Sequence, residues 1–197
     1  MCIKTFDEYY QGLQEKMKSE GPDFELNENR AHNTTIMRFM LDNSNVINMY
    51  CGEMSVFRNS FYSHINQNAN GDEPLGDLLK KELVNSLTRF MERDNTQLNI
   101  YLEKYSEVYF RDLINEQIFD RGMASQKINI YRLDDKLMLK SGLLHVSYTD
   151  TNIVRMERDK STHEAICVIK ASSDMMDKWK RTFLNTKSAA ERVCMPN

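Results

Sequence analysis

Histidine, arginine and glutamate brought together on short strands are the residue types from which proton transfer or anion recognition is built. One stretch of this chain carries all three. His145 sits in the apolar run Leu143 to Tyr148, and Arg155 and Glu157 lie two apart on the run that follows. An imidazole holds or releases a proton near neutrality, and it becomes a catalytic group when a carboxylate or cation stands within hydrogen-bond reach. Glu157, Arg155 or Glu164 on neighbouring strands can supply that partner. The period of two along a strand turns Arg155 and Glu157 to the same face, where they make an anion site, a substrate clamp or, more plainly, an ion pair with each other. The plain reading of His145 is a structural histidine bonded to a strand neighbour. The candidate site is therefore His145 and Glu157 for catalysis, with Arg155 and Asp150 for ligand binding.

Other chemistries find no support in the residue spacing. His32, His64, His145 and His163 show no H-x-H or H-E-x-x-H pattern, and Cys2, Cys51, Cys167 and Cys194 form no C-x-x-C pair. Neither a metal site nor a disulfide framework is expected. The cysteines read as reduced thiols, Cys51 and Cys167 within core strands. No glycine-rich phosphate loop occurs, so nucleotide binding by those routes and a bound cofactor are not expected. Cys51-Gly52-Glu53-Met54-Ser55 lacks the second glycine of a nucleophile elbow, because Phe57 stands there. The 197 residues carry a formal net charge of −3, which gives no general field for a nucleic-acid backbone. The basic runs around Lys178 to Arg181 and Arg155 to Lys160 are interspersed with acids. No stretch reaches the roughly 18 apolar residues of a membrane span, and the first residues lack a signal-peptide pattern, so a cytoplasmic protein is expected.

The elements that must position these residues follow from periodicity. Apolar residues three or four apart predict helices over 5–19, 30–41, 75–93 and 105–120, and a last helix that starts after the caps Ser172 and Ser173 and runs to about Val193, with Met175, Met176, Trp179, Phe183 and Leu184 at core spacing. Short β-branched or apolar runs predict strands at 46–51, 97–102 and 127–132, then a meander of 143–148, 153–157 and 164–169 joined by Thr149–Asn152 and Asp159–Thr162. Residues 23–29 read as a polar connector and 64–74 as a loop. The length and the 41% hydrophobic content fit one domain over 1–197, with residues 1–28 an N-terminal helix and connector. The fold class expected is α/β: a mixed β-sheet flanked by helices on both faces, with a C-terminal antiparallel meander and closing helix.

This order of elements resembles the single-domain members of the phospholipase D-like superfamily. There, a helix leads into the first sheet strand, as Met37 to Leu41 leads here into Val46 to Tyr50, and a second helix and strand follow, as in 75–102. The family carries His-x-Lys on a later strand, an Asp at the next turn, and Gly-Ser-x-Asn on the strand after. The comparable piece here is Leu143 to Asp150, then Thr151 to Glu157. Aligned on Asp150, the family histidine falls on Leu143 and its lysine on His145; aligned on His145, the lysine falls on Ser147. Arg155-Met156-Glu157 stands in place of Gly-Ser-x-Asn. The family reaction uses one histidine as nucleophile on a phosphodiester and lysine to steady the phosphoryl charge. The resemblance implies a catalytically degenerate domain that binds a protein partner or a phosphate-containing ligand, and a homodimer, because single-domain members build one active site from two copies. The alternatives are a metal-independent phosphodiesterase or nuclease using His145, and an interaction module docking through 53–74 and the N-terminal helix.

Overall fold

The strongest amphipathic pattern of the sequence, Leu79, Leu83, Leu87 and Phe90, becomes the buried face of an 18-residue helix, and it packs on a sheet whose strands fall close to their expected bounds. The computed structural model describes residues 6–67, 74–133, 145–159, 164–188 and 190–193. In chain order the elements are α1 (Phe6–Lys18), β1 (Asp23–Asn27), α2 (Arg30–Asn43), β2 (Val46–Cys51), a 3-10 turn (Ser55–Phe57), α3 (Asn59–Gln67), α4 (Leu75–Glu92), β3 (Gln97–Leu102), α5 (Val108–Arg111), α6 (Glu116–Ala124), β4 (Ile128–Leu133), β5 (Val146–Thr149), β6 (Val154–Asp159), β7 (Glu164–Ile169), α7 (Ser173–Lys187) and β8 (Ala190–Arg192). They form one mixed sheet of order β1-β7-β6-β5-β2-β3-β4-β8.

Strands β2, β3 and β4 run parallel, as helical crossovers require. Strands β5, β6 and β7 form the expected antiparallel meander, joined to the parallel half where β5 pairs with β2. On one face, Ile47, Met49, Leu98, Ile100, Ile128 and Ile130 meet α1, α2, α3, α4 and α6. On the other, Tyr50, Tyr101, Tyr148 and Val154 meet Met176, Trp179 and Phe183 of α7. Helices thus lie on both faces, and the α/β architecture read from the sequence is the observed one.

Several local expectations are corrected. Residues 23–27 are not connector but the edge strand β1, paired antiparallel with β7. Its alternation is inverted, with Phe24 and Leu26 exposed and Asn27 buried, which disguised a period-two pattern as polar chain. The helix expected over 105–120 is broken, because residues 112–114 pair with 57–60. Asn59 N donates to the Asp112 carbonyl at 2.7 Å, Ile114 N donates to that of Phe57 at 2.9 Å, and α6 then restarts on the Asn115 cap. Helix α3 spans 59–67 and takes 64–67 from the expected loop 64–74, whose residues 68–73 lie outside the described residues. The closing helix stops at Lys187, and β8 returns to pair with β4, Arg132 donating to Glu191 across the strands at 2.5 Å. Leu184 is exposed, not core.

Candidate functional site

The sheet changes character between β2 and its two neighbours, parallel β3 on one side and antiparallel β5 on the other. Clefts in open α/β sheets form beyond the carboxyl ends of the strands at such reversals. Here that position opens into a cavity of about 510 Å3, walled by the first turn of α2, by Cys51 to Val56 after β2, by Glu103 and Lys104 after β3, and by His145, Ser147, Arg155 and Glu157 of the meander.

Backbone register places each of these groups. The parallel ladder runs past the strand ends, with Glu103 N donating to Cys51 O and Lys104 N to Gly52 O, both at 2.9 Å. Glu157 N donates to His145 O at 2.9 Å and extends the β5–β6 pairing by one residue. Cys51, His145 and Glu157 consequently stand side by side on one face. The next row is Met49, Ser147, Arg155 and Cys167, in register across β2, β5, β6 and β7.

His145 lies between two carboxylates. Its Nδ1 is 2.5 Å from Glu157 Oε2, a side chain only 5% exposed, and its Nε2 is 2.8 Å from Glu103 Oε2. An ionised carboxylate only accepts, so a ring nitrogen that carries a proton donates to the carboxylate it faces. Tyr50 stands edge-on to the ring at 5.9 Å. Gly52 leaves room for it, since a Cβ there would come within 3.2 Å of His145 Cε1 and 3.4 Å of Nε2.

Arg155 sits one row deeper, 8% exposed, with Nε buried and without an acceptor. Burial lowers its pKa, while the nearby Glu157, Cys167, Tyr9 and Cys51 act in the opposite sense. The ion pair expected between Arg155 and Glu157 is corrected: they share a face, but among the described residues no carboxylate pairs with Arg155, and Glu157 meets His145 instead. The other cations at the rim have partners of their own. Arg58 binds Asp112 at 3.1 Å and Glu53 at 3.3 Å, Lys104 approaches Glu53 at 3.8 Å, and Arg30 lies over the Phe61 ring at 5.2 Å.

Of the residues singled out in the sequence, His145, Glu157 and Arg155 come together here. Asp150 does not. It closes the other end of β5, about 16 Å along the strand, accepting from Asn45 N at 3.0 Å and Val46 N at 3.1 Å. His163 and Leu143 lie outside the described residues, as do Cys2 and Cys194. Burial pushes the Cys51 and Cys167 thiols up to about 12, which makes them poor nucleophiles. Among the described residues no group of three His, Cys, Asp or Glu side chains is arranged to hold a metal, and no helix is long and apolar enough to cross a membrane. Sequence reading missed Glu103. Its signal was position, as a carboxylate immediately after a parallel strand that neighbours the reversal point.

Protein-family models and curated proteins offer no match to the chain. Among solved structures it is similar to TrmBL2, an archaeal chromatin protein described with a novel mode of DNA binding, at 15% identity and a TM-score of 0.55. The match covers 95% of this chain and 60% of that one, so this chain spans somewhat over half the length of that protein. It is also similar to a phospholipase D family member, Nuc from Salmonella typhimurium, at 11% identity and a TM-score of 0.49, over 88% of this chain and 99% of that one. At such identities the likeness is one of fold alone.

Proposed function

We propose that this chain is a catalytically degenerate phospholipase D-like domain that works by binding a ligand in the cavity beyond β2 and β3. The observation that carries this reading is the double engagement of His145. A histidine nucleophile needs an unprotonated nitrogen facing the phosphorus, and both nitrogens here face carboxylates at 2.5 and 2.8 Å. The lysine that would steady a phosphoryl oxygen is replaced by Ser147 in the register that keeps His145. Arg155 and Glu157 stand where the small Gly-Ser turn would be. DNA binding, described for the chromatin neighbour, is not carried over, because the formal net charge of −3 supplies no field for a phosphate backbone. A homodimer belongs to the same reading by family resemblance, and light scattering of the purified chain measures it directly.

The rival is a phosphodiesterase in which Glu157 orients His145 through Nδ1, as a carboxylate orients a histidine base, and substrate displaces Glu103 from Nε2. Incubation with bis(4-nitrophenyl) phosphate and with single-stranded DNA separates the two. The binding reading expects no release of product above that of His145→Ala. Turnover by the wild type that disappears in His145→Ala establishes the rival.

A further inference from the structure

From the charge around the cavity and the state of Arg155, we infer that the ligand is a small organic carboxylate, a monoanion with an apolar body, whose carboxylate is gripped by the Arg155 guanidinium. The inference rests on the binding reading above and adds the chemistry of the ligand.

A buried guanidinium is costly unless its donors are met, and proteins that keep one for architecture surround it with acceptors. Arg155 is 8% exposed, its Nε is without an acceptor, and among the described residues no carboxylate pairs with it. Yet it forms part of the cavity wall. A guanidinium edge offers two parallel N–H groups that match the two oxygens of a carboxylate. A carboxylate in the cavity would meet the guanidinium where Arg155 forms the wall and would supply the counter-charge that the described residues do not.

Charge narrows the class further. Glu103, His145 and Glu157 together amount to one negative charge when the ring is an imidazolium. Arg58 and Lys104 are balanced by Glu53 and Asp112. Arg30 and Arg155 then leave the cavity one positive charge in excess, enough for a carboxylate and too little for a phosphomonoester dianion. The rest of the wall is suited to an apolar body, through Met37, Met49, Met54, Val56 and Phe61. At about 510 Å3 the space falls within the range of small-molecule sites.

The test is thermal denaturation of the full chain with benzoate and hexanoate, against benzamide and hexanamide as uncharged counterparts and inorganic phosphate as the rival anion. A ligand that binds only the folded state raises the melting temperature with concentration. The carboxylates are expected to do so, and the amides and phosphate are not. Arg155→Lys keeps the charge but loses the fork, and should weaken the apparent affinity at least tenfold. Arg155→Met should abolish the response while melting no lower than the wild type without ligand, because the buried charge is gone. No response of the wild type to carboxylates, an equal response in Arg155→Met, or a preference for phosphate overturns the inference. So does a lower melting temperature of unliganded Arg155→Met, which assigns the arginine to architecture. If Arg155→Met does not fold, the arginine is likewise architectural, and an unweakened carboxylate response in Arg155→Lys contradicts the fork independently. Cleavage of bis(4-nitrophenyl) phosphate by the same wild-type sample overturns the binding reading itself, whereas a silent carboxylate titration without cleavage removes only the ligand class.

Discussion

His145 holds the amino end of β5 to the carboxyl ends of β3 and β6, since Glu103 follows β3, Glu157 lies on β6 and the histidine precedes β5. Its two bonds differ in environment. Glu157 is 5% exposed and Glu103 is 22% exposed, so removing the first strands charge in a drier place. Breaking a buried pair by deleting one partner costs about 3–5 kcal/mol, and a more exposed charged hydrogen bond is worth about 1–2 kcal/mol. Glu157→Ala should therefore destabilise the protein by about 3 kcal/mol and Glu103→Ala by about 1 kcal/mol in urea unfolding. Equal losses would show that burial does not rank the two carboxylates. That His145 and Glu157 would meet was readable from two strands expected side by side. That Arg155 would have no carboxylate partner among the described residues was not, because which neighbour a carboxylate chooses depends on strand register and on Glu103, 42 residues upstream of the histidine.

At the level of elements, the long helices and most strands could be read because one strong period governs each. Val46–Cys51, Gln97–Leu102 and Glu164–Ile169 fall on their expected bounds. Elements governed by distant pairing could not. β1 depends on β7, β8 on β4, and the break between α5 and α6 on the 57–60 backbone. A repeated signal was also present unread: Asn48-Met49-Tyr50, Asn99-Ile100-Tyr101 and Asn129-Ile130-Tyr131 share one pattern and align across β2, β3 and β4. Asn99 Nδ2 donates to Asn48 Oδ1 at 3.0 Å and Asn129 Nδ2 to Asn99 Oδ1 at 3.1 Å, and Tyr101 stacks on Tyr131 at 4.7 Å. Close helix approach gives a test. A Cβ on Gly76 of α4 would run into the Tyr62 carbonyl oxygen of α3, whereas one on Gly12 of α1 meets nothing within 4 Å. Gly76→Ala should cost about 1–3 kcal/mol, and Gly12→Ala should stabilise by roughly 0.5–1 kcal/mol. Melting shifts of the same sign for both would refute this packing of α3 on α4.

For the whole molecule, two cores on either side of one sheet bury several groups that must stay protonated. The thiols of Cys51 and Cys167 and the Tyr10 hydroxyl are pushed up to about 12, and desolvation moves Tyr9, Tyr50, Tyr62 and Tyr101 further still. The unfolded chain releases these protons from about pH 8.5 to 10. The folded state therefore binds more protons in that range, and stability falls as pH rises. The contribution is complete below about pH 8 and is lost progressively above it. Melting temperatures measured from pH 7 to 10.5 should decline past about pH 9, with neither thiol alkylated by iodoacetamide at pH 8 until the protein unfolds. A flat profile, or rapid labelling of Cys51 in the folded state, would contradict this burial.

The claim on which the functional reading turns is that His145 offers no nucleophilic nitrogen. Nitrogen-15 NMR of the imidazole at neutral pH measures this directly, with His145→Ala used to assign the signals. The account predicts that both ring nitrogens carry protons and that replacing Glu103 by alanine alters the Nε2 signal far more than Nδ1. An unprotonated Nε2 in the wild type would place a nucleophile in the cavity and contradict the account.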